Sequence, residues 1–266
     1  MSDITIYNED CFITMSNMPE HTIDVVMTSP FYNTNKKQNS SKFKVTDCKP
    51  GSFPYYRYDT AIDRMSNDEY DTFTTRLFNN LDRVLKPNGT VLYNISYGNE
   101  NTEGMFTAIY HIIRDTPFTV ADVITWRKQK AMPNNCSKNR LTRICEWVIV
   151  FCRKSELKTF YANKPIASYR KSGQAMYSSV SNYVEARNND GVCPYNKSTY
   201  SSELCCKLLK VYAPPASLVY DPFTGSGTTG VACIKLGLDF IGSEISEQQV
   251  EYARRRCSDT REELNK

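Results

Sequence analysis

The sequence predicts an α/β fold, a mixed and mostly parallel sheet with helices on both faces. Three observations carry that expectation. Short apolar runs of strand length alternate with stretches of helical periodicity along most of the chain. Towards the end, Leu218-Val219-Tyr220-Asp221 leads through a glycine-rich turn into a helical stretch and then a second apolar run, 238–244, the layout of a βαβ unit. Near the start, Val25-Val26-Met27 is cut short by Ser29-Pro30, as in a buried strand that ends in a polar turn. With 266 residues the chain is near the upper end for a single α/β domain and can bury a large core.

In order along the chain, residues 4–7 alternate as a short strand, 11–18 have helical spacing through Phe12, Met15 and Met18, and 23–27 form the next strand. Residues 33–64 lack both periods and hold a Tyr55-Tyr56-Arg57-Tyr58 cluster; a stretch of that length after a candidate active strand reads as a mobile lid. The clearest helix is 66–85, where Ser66 and Glu69 make a capping box and Tyr70, Phe73, Leu77, Leu81, Val84 and Leu85 make one apolar stripe. Lys86-Pro87-Asn88-Gly89 ends it, and 90–95 is a buried strand. A helix over 105–113 and strands over 118–126 and 146–151 follow, the two strands separated by a polar hinge at Pro133-Asn134-Asn135. Residues 154–196 are basic, rich in tyrosine and short of apolar periodicity, and read as a small insertion. The helix 201–212 stops at Pro214-Pro215; after the glycine turn come a helix over 231–236 and a last helix opened by Ser246 and Gln249.

The first candidate site is Thr28-Ser29-Pro30-Phe31-Tyr32. It places a hydroxyl, a proline carbonyl and aromatic rings at the C-terminal end of a strand, the edge where open α/β sheets bind ligands. Those atoms suit the exocyclic amino group of a nucleobase: Ser29 and Pro30 can accept its two hydrogens and aim the nitrogen lone pair, while Tyr32 and Phe31 stack on the base. The plain reading is a turn with Ser and Pro as punctuation. Asp10, at the end of the preceding strand, faces a ligand on one reading and caps a helix on the other.

The second is Asp221-Pro222-Phe223-Thr224-Gly225-Ser226-Gly227-Thr228-Thr229-Gly230. Gly225, Gly227 and Gly230 fit G-x-G-x-x-G, with Glu244 about 20 residues on as the acid that holds ribose hydroxyls. An adenosine-containing cofactor in a Rossmann-like unit is the expectation. Asp221 argues for S-adenosylmethionine over NAD, because a carboxylate there would repel a pyrophosphate.

Composition bounds the rest. Mean hydropathy is −0.51, no apolar run approaches a membrane span, and the N-terminus is not a signal peptide, so the expectation is an intracellular, cytoplasmic protein. Ten scattered cysteines and two histidines, without Cys-x-x-Cys, give no zinc spacing and read as reduced thiols. Net charge is +4, yet residues 127–171 hold twelve Lys or Arg against Glu146 and Glu156, which suggests a phosphate-backbone footprint; the plain alternative is a solvated basic face.

The two motifs together resemble the amino-methyltransferases of DNA that make N4-methylcytosine or N6-methyladenine. Asp221 to Gly227 looks like their cofactor motif, Thr28 to Tyr32 like their catalytic motif, and Asn8-Glu9-Asp10-Cys11 is similar to their N-terminal Gly-Asp-Cys stretch. Catalytic motif first and cofactor motif last is the circularly permuted β-class order, and Lys197-Ser198-Thr199-Tyr200-Ser201 looks like the cofactor-closing segment. Phe31 stands where the family has a second proline, which costs the turn one fixed φ angle and leaves the Pro30 carbonyl in place.

The resemblance implies one methyltransferase domain: a catalytic part over 1–153, a target-recognition insertion over 154–196 and a cofactor-binding part over 197–266. It implies Ser29, Pro30, Phe31 and Tyr32 as catalytic residues, and Asp10, Thr28, Asp221, Pro222, Phe223, Gly225, Gly227, Thr228 and Glu244 around S-adenosylmethionine. Asn33, Lys36, Lys37, Arg127, Lys128, Lys130, Lys138, Arg140, Arg170 and Lys171 are the candidate DNA contacts. It further implies a monomer or homodimer and a possible restriction endonuclease partner. Ser at the first motif position associates with cytosine N4 products, so cytosine is preferred and adenine N6 is the alternative. Methylation of a glutamine amide or of RNA, a catalytically idle DNA-binding protein and an NAD-dependent oxidoreductase are the remaining rivals; the last leaves Ser29 to Tyr32 unexplained.

Overall fold

The computed structural model describes residues 2–33, 65–97, 101–131, 138–191, 193, 196 and 199–266. The expected lid beyond Asn33, the Tyr55–Tyr58 cluster, the hinge at 133–135, Lys36, Lys37, Lys197 and Ser198 lie outside these residues.

Ten strands and six α-helices are described: β1 (Ile4–Tyr7), α1 (Cys11–Asn17), β2 (Ile23–Thr28), α2 (Asn67–Val84), β3 (Leu85–Ile95), α3 (Gly104–Asp115), β4 (Phe118–Gln129), β5 (Cys145–Arg153), β6 (Ile166–Tyr169), β7 (Ala175–Tyr177), β8 (Tyr183–Arg187), α4 (Ser202–Tyr212), β9 (Leu218–Asp221), α5 (Thr228–Leu236), β10 (Asp239–Ser243) and α6 (Glu247–Leu264). Eight strands form one sheet in the order β1-β10-β9-β2-β3-β5-β4-β8, and β6 and β7 form a separate hairpin. The run from β1 to β3 is parallel throughout, β5 is antiparallel to both β3 and β4, and β8 is parallel to β4. The expected α/β architecture is thus present, mixed and mostly parallel.

Side-chain alternation along the strands explains the two-sided cover. Val25 and Met27 of β2, Leu92 of β3, Val148 and Val150 of β5 and Val219 of β9 face α4, α5 and α6. Val26, Val91, Tyr93, Ile149, Phe151 and Tyr220 point the other way, onto α1, α2 and α3. Both faces of the central strands are buried, so these strands read as continuous apolar runs in the sequence. Each fully buried Leu, Ile, Val or Phe contributes about 1.5–3 kcal/mol, and α2 supplies Leu77, Phe78, Leu81 and Val84. Its start is the capping box expected from Ser66 and Glu69.

Three boundaries differ from the sequence expectation. β3 begins at Leu85, pairs with Ile23 and then bulges out through Pro87, Asn88 and Gly89 before Thr90 meets Val25. Asn88 there has φ +62°, a conformation Asn tolerates better than most residues. α5 begins at Thr228 directly after the glycine turn, earlier than apolar spacing suggests. Residues 154–191 hold more regular structure than their pattern implies, because β8 joins the main sheet: Trp126 Nε1 donates to the Ala186 carbonyl at 3.3 Å.

The sheet order fixes where the chemistry sits. From β2 the chain crosses by α2 to β3 in one direction, and from β9 by α5 to β10 in the other. The crevice between β2 and β9 is therefore the point where strand order reverses, the usual ligand site of an open α/β sheet. Because β5 runs antiparallel, its first residues lie at the same edge as the ends of β2, β3, β9 and β10.

Candidate active site

The two motifs, far apart in sequence, meet at this crevice. Thr28 at the end of β2 donates from Oγ1 to Asp221 Oδ1 at the end of β9, at 2.7 Å. Asp221 is only 1 % exposed, and its two oxygens also accept from the Phe223 N–H (3.0 Å), the Thr229 hydroxyl (2.7 Å) and the Tyr200 hydroxyl (3.1 Å). Burial pushes the Asp221 carboxyl above its usual range, and those hydrogen bonds offset part of the shift. Four donors fill the lone-pair sites of one carboxylate. Asp221 and Thr28 thereby tie the glycine turn to β2 and to the start of α4.

Past Asp221, Pro222 is buried and Phe223 half-buried, and the turn folds back through Thr224, whose hydroxyl donates to the Asp221 carbonyl at 3.0 Å. Gly225 has φ +52° and Gly227 φ +78°, both left-handed. Any Cβ at Gly227 would lie 2.8 Å from Ala253 Cβ, so that glycine lets α6 close on the turn. The Gly225 N–H donates to Glu244 Oε2 at 3.0 Å, and Oε1 of the same carboxylate accepts from the Ser246 N–H at 2.9 Å. Burial raises the Glu244 pKa, with backbone hydrogen bonds opposing. Glu244 keeps acceptor capacity beside Gly225, which suits a vicinal diol. The Thr228 hydroxyl accepts from Arg256 Nη1 at 2.9 Å, and Arg256 also pairs with Asp190, which accepts from the Ser202 N–H at the start of α4. Asp10 is exposed and caps α1, with Oδ1 accepting from the Phe12 N–H at 2.7 Å.

On the catalytic side, Ser29 Oγ lies 3.1 Å from the Tyr32 hydroxyl. That hydroxyl is also 3.1 Å from Asn94 Oδ1 and 3.2 Å from Glu146 Oε2, and Lys128 Nζ donates to the other Glu146 oxygen at 2.5 Å. Asn94, Glu146 and Lys128 close a polar network around the motif. Sequence reading did not assign Asn94 or Glu146 to the site. Pro30 is buried, and among the described residues no donor meets its carbonyl. Phe31 packs inward between two elements. Its ring packs 5.1 Å from Phe73 and 6.2 Å from Phe223, and its carbonyl accepts from the Tyr70 hydroxyl at 2.7 Å. The residue that replaces the second proline thereby locks the turn to α2 and to the glycine loop by packing.

A family model for N6/N4 DNA methylases matches residues 23–255. The chain belongs to the N6/N4 DNA methylase family. Among curated proteins it is 29 % identical over 263 residues to the type II methyltransferase M2.DpnII of Streptococcus pneumoniae, covering 87 % of this chain and 93 % of that one. It is 24 % identical over 267 residues to the type II methyltransferase M.BglII of Bacillus subtilis, covering 93 % and 67 %. Of solved structures, the cytosine-N4-specific PvuII DNA methyltransferase superposes with a TM-score of 0.70 at 18 % identity, covering 99 % of this chain and 93 % of that one. The M1.HpyAVI–SAM complex superposes with a TM-score of 0.61 at 20 % identity, covering 95 % and 98 %.

In this methylase the expected DNA contacts divide. Asn33 is 0 % exposed with φ +48°; its Nδ2 donates to the Met65 carbonyl at 3.0 Å and its own carbonyl accepts from Asn101 at 2.8 Å. Asn33 is thereby tied to Met65 and to Asn101. Lys128 is held in the Ser29 network. Arg127 is exposed and paired with Glu185 at 2.8 Å. Lys130, Lys138 and Arg140 are exposed near the site edge after β4, and Arg170 and Lys171 are exposed at the turn of the β6–β7 hairpin. The basic run does not form one patch: antiparallel β5 carries Arg153, paired with Asp82 and Glu156, to the far edge of the sheet.

Among the described residues eight cysteines are free thiols, and no helix is long and apolar enough to cross a membrane.

Proposed function

We propose that this chain transfers the methyl group of S-adenosylmethionine to the exocyclic amino group of a base in DNA, cytosine N4, with the base turned out of the duplex. The observation that carries the reading is the meeting of the two motifs through Thr28 and Asp221, which sets Ser29 and Pro30 beside the glycine turn. S-adenosylmethionine supplies a methyl group on a positively charged sulfur. Glu244 holds its ribose hydroxyls, Gly225 allows its close approach to the backbone, and Phe223 and the exposed Asp10 border the same edge.

The amino nitrogen of cytosine is a poor nucleophile because its lone pair is delocalised into the ring. Ser29 Oγ and the Pro30 carbonyl accept its two hydrogens, which favours a tetrahedral nitrogen with its lone pair free to attack. Tyr32 flanks the base. A strong base is not needed before attack, since the methylated nitrogen is acidic enough to lose its proton afterwards. Alignment and preorganised acceptors account for the rate, and turning out the base costs a few kcal/mol that DNA contacts must supply. The preference for cytosine is supported by Ser29, which stands where the motif resemblance implies an acid for adenine. Residues 154–196, with the exposed Arg170 and Lys171, serve as the target-recognition region.

Differential thermal shift separates the cofactor classes: S-adenosylhomocysteine at 100 times its Kd should add about 2.7 kcal/mol of stability, and NAD should add none. A shift with NAD alone would reject the methyl-transfer reading.

A further inference from the structure

Leu141 is 89 % exposed, more than any other large apolar side chain among the described residues. Single exposed apolar side chains are common and need no explanation by themselves. This one is set apart by what carries it. It stands on the connection between β4 and β5, which springs from beside the catalytic turn: Lys128 near the end of β4 pairs with Glu146 near the start of β5, and Glu146 Oε2 lies 3.2 Å from the Tyr32 hydroxyl. Five residues of chain hold Leu141 within about 18 Å of Glu146.

The chain is fixed just after the leucine. The Ile144 carbonyl accepts from the Lys128 N–H at 2.8 Å. Arg143 donates to the Tyr97 carbonyl, with its guanidinium 4.8 Å from the centre of the Tyr97 ring. Tyr97 in turn lies on Trp147, ring centres 5.9 Å apart. Leu141 is thus held out two residues from an anchored point. Its apolar neighbours at this edge are held closer in: Ile144 is 38 % exposed, and the Phe106 ring lies along α3, 6.4 Å from Tyr97.

Charge identifies the partner. Between Asp122 and Glu146 the sequence has no acid and six Lys or Arg, and the exposed Lys138 and Arg140 flank Leu141. A lone leucine is far too small to make a protein interface. An apolar tip among cations fits a polymer with anionic edges and an apolar interior, which is duplex DNA with its phosphates outside and its bases stacked within.

We propose that Leu141 enters the base stack as the target base leaves it, and fills the vacated place while that base lies at Ser29. The inference rests on the proposed transfer to a turned-out base, and names the side chain that holds the duplex open. Losing the target base exposes the flat faces of the base pairs above and below. A leucine between them is buried again, which is worth about ten- to hundredfold in an equilibrium constant. That gain offsets part of the cost of unpairing and unstacking the base.

The test uses the full chain and tritiated S-adenosylmethionine. The target is located by sequencing DNA that the wild-type chain has methylated. Synthetic duplexes carrying it then have either the normal partner or a mismatched one opposite the target base; the mismatch makes turning the base out easier. Leu141→Ala should lower single-turnover methylation of the paired duplex about tenfold or more. On the mismatched duplex it should come within about threefold of wild type. Leu141→Met, apolar and of similar volume, should keep the wild-type rate on both. A Kd for S-adenosylmethionine within about twofold of wild type shows that each variant is folded. A wild-type rate for Leu141→Ala on the paired duplex, or the same loss on both duplexes, overturns the inference and leaves the proposed function standing. Equal loss together with altered sedimentation would make Leu141 a contact between copies of the chain, and overturns it likewise. A wild-type protein that puts no methyl on DNA amino groups overturns both.

Discussion

Asp221 accepts from four donors, and its carboxylate is buried among them. Asp221→Ala strands three hydroxyls and a backbone N–H in the interior. It should cost about 1–3 kcal/mol of stability, seen as a lower melting midpoint without cofactor, together with weaker S-adenosylmethionine binding as the glycine turn loosens. Unchanged melting would show that Asp221 is not a tie. Glu244, whose folded pKa is likewise raised by burial, is held by fewer donors and keeps acceptor capacity for a ligand. A carboxyl with a raised folded pKa binds its proton more firmly when folded. Its stability contribution is present below pH 4.5 and is lost as pH rises through the folded value. At pH 7 the ionised group is therefore a net cost. Glu244→Gln should melt at the same or a higher temperature than wild type at pH 7 while binding S-adenosylmethionine more weakly, the usual conflict between a ligand site and stability. Lower melting with intact cofactor affinity would contradict this. Ser29→Ala should lower kcat about 100-fold or more and leave cofactor affinity nearly unchanged, measured by single-turnover methylation and calorimetry.

At the scale of elements, local pattern made the start of α2, the strand before Ser29 and the glycine turn legible from the sequence alone. Capping box, apolar run and G-x-G-x-x-G are each written within a few residues. Strand direction is not. The apolar run from Trp147 to Phe151 carries no mark of strand direction, so nothing local shows that β5 is antiparallel and brings Glu146 to the site edge. Asn33 looked like a polar residue on a lid; its burial follows from a contact with Asn101, 68 residues away. Asn33→Ala should cost about 1–2 kcal/mol, from the left-handed φ and the lost bond to Met65. DNA affinity should hold, since the side chain is inside. A variant as stable as wild type with weaker DNA binding would reverse that assignment.

Over the whole molecule, the front of the chain and its last third share one crevice because β9 pairs with β2 and leads away from it. The motif order in the sequence foretold this meeting. The charge run did not foretell its own distribution, because a run that crosses an antiparallel strand is delivered to both edges of the sheet. The exposed cations on the β6–β7 hairpin remain a coherent group. Arg170→Glu with Lys171→Glu should weaken DNA binding and reduce the slope of log affinity against log salt by about two, without affecting S-adenosylmethionine binding; an unaltered salt slope would move the DNA footprint elsewhere. The most direct test of amino-group methylation is the identity of the product. Unmethylated DNA is incubated with methyl-labelled S-adenosylmethionine and the purified chain, then digested to nucleosides for mass spectrometry. The account predicts label in N4-methylcytosine, abolished by Ser29→Ala. Label in N6-methyladenine would keep the amino-group chemistry and reject the choice of base, whereas label on a ring carbon, or none in DNA, would contradict the account.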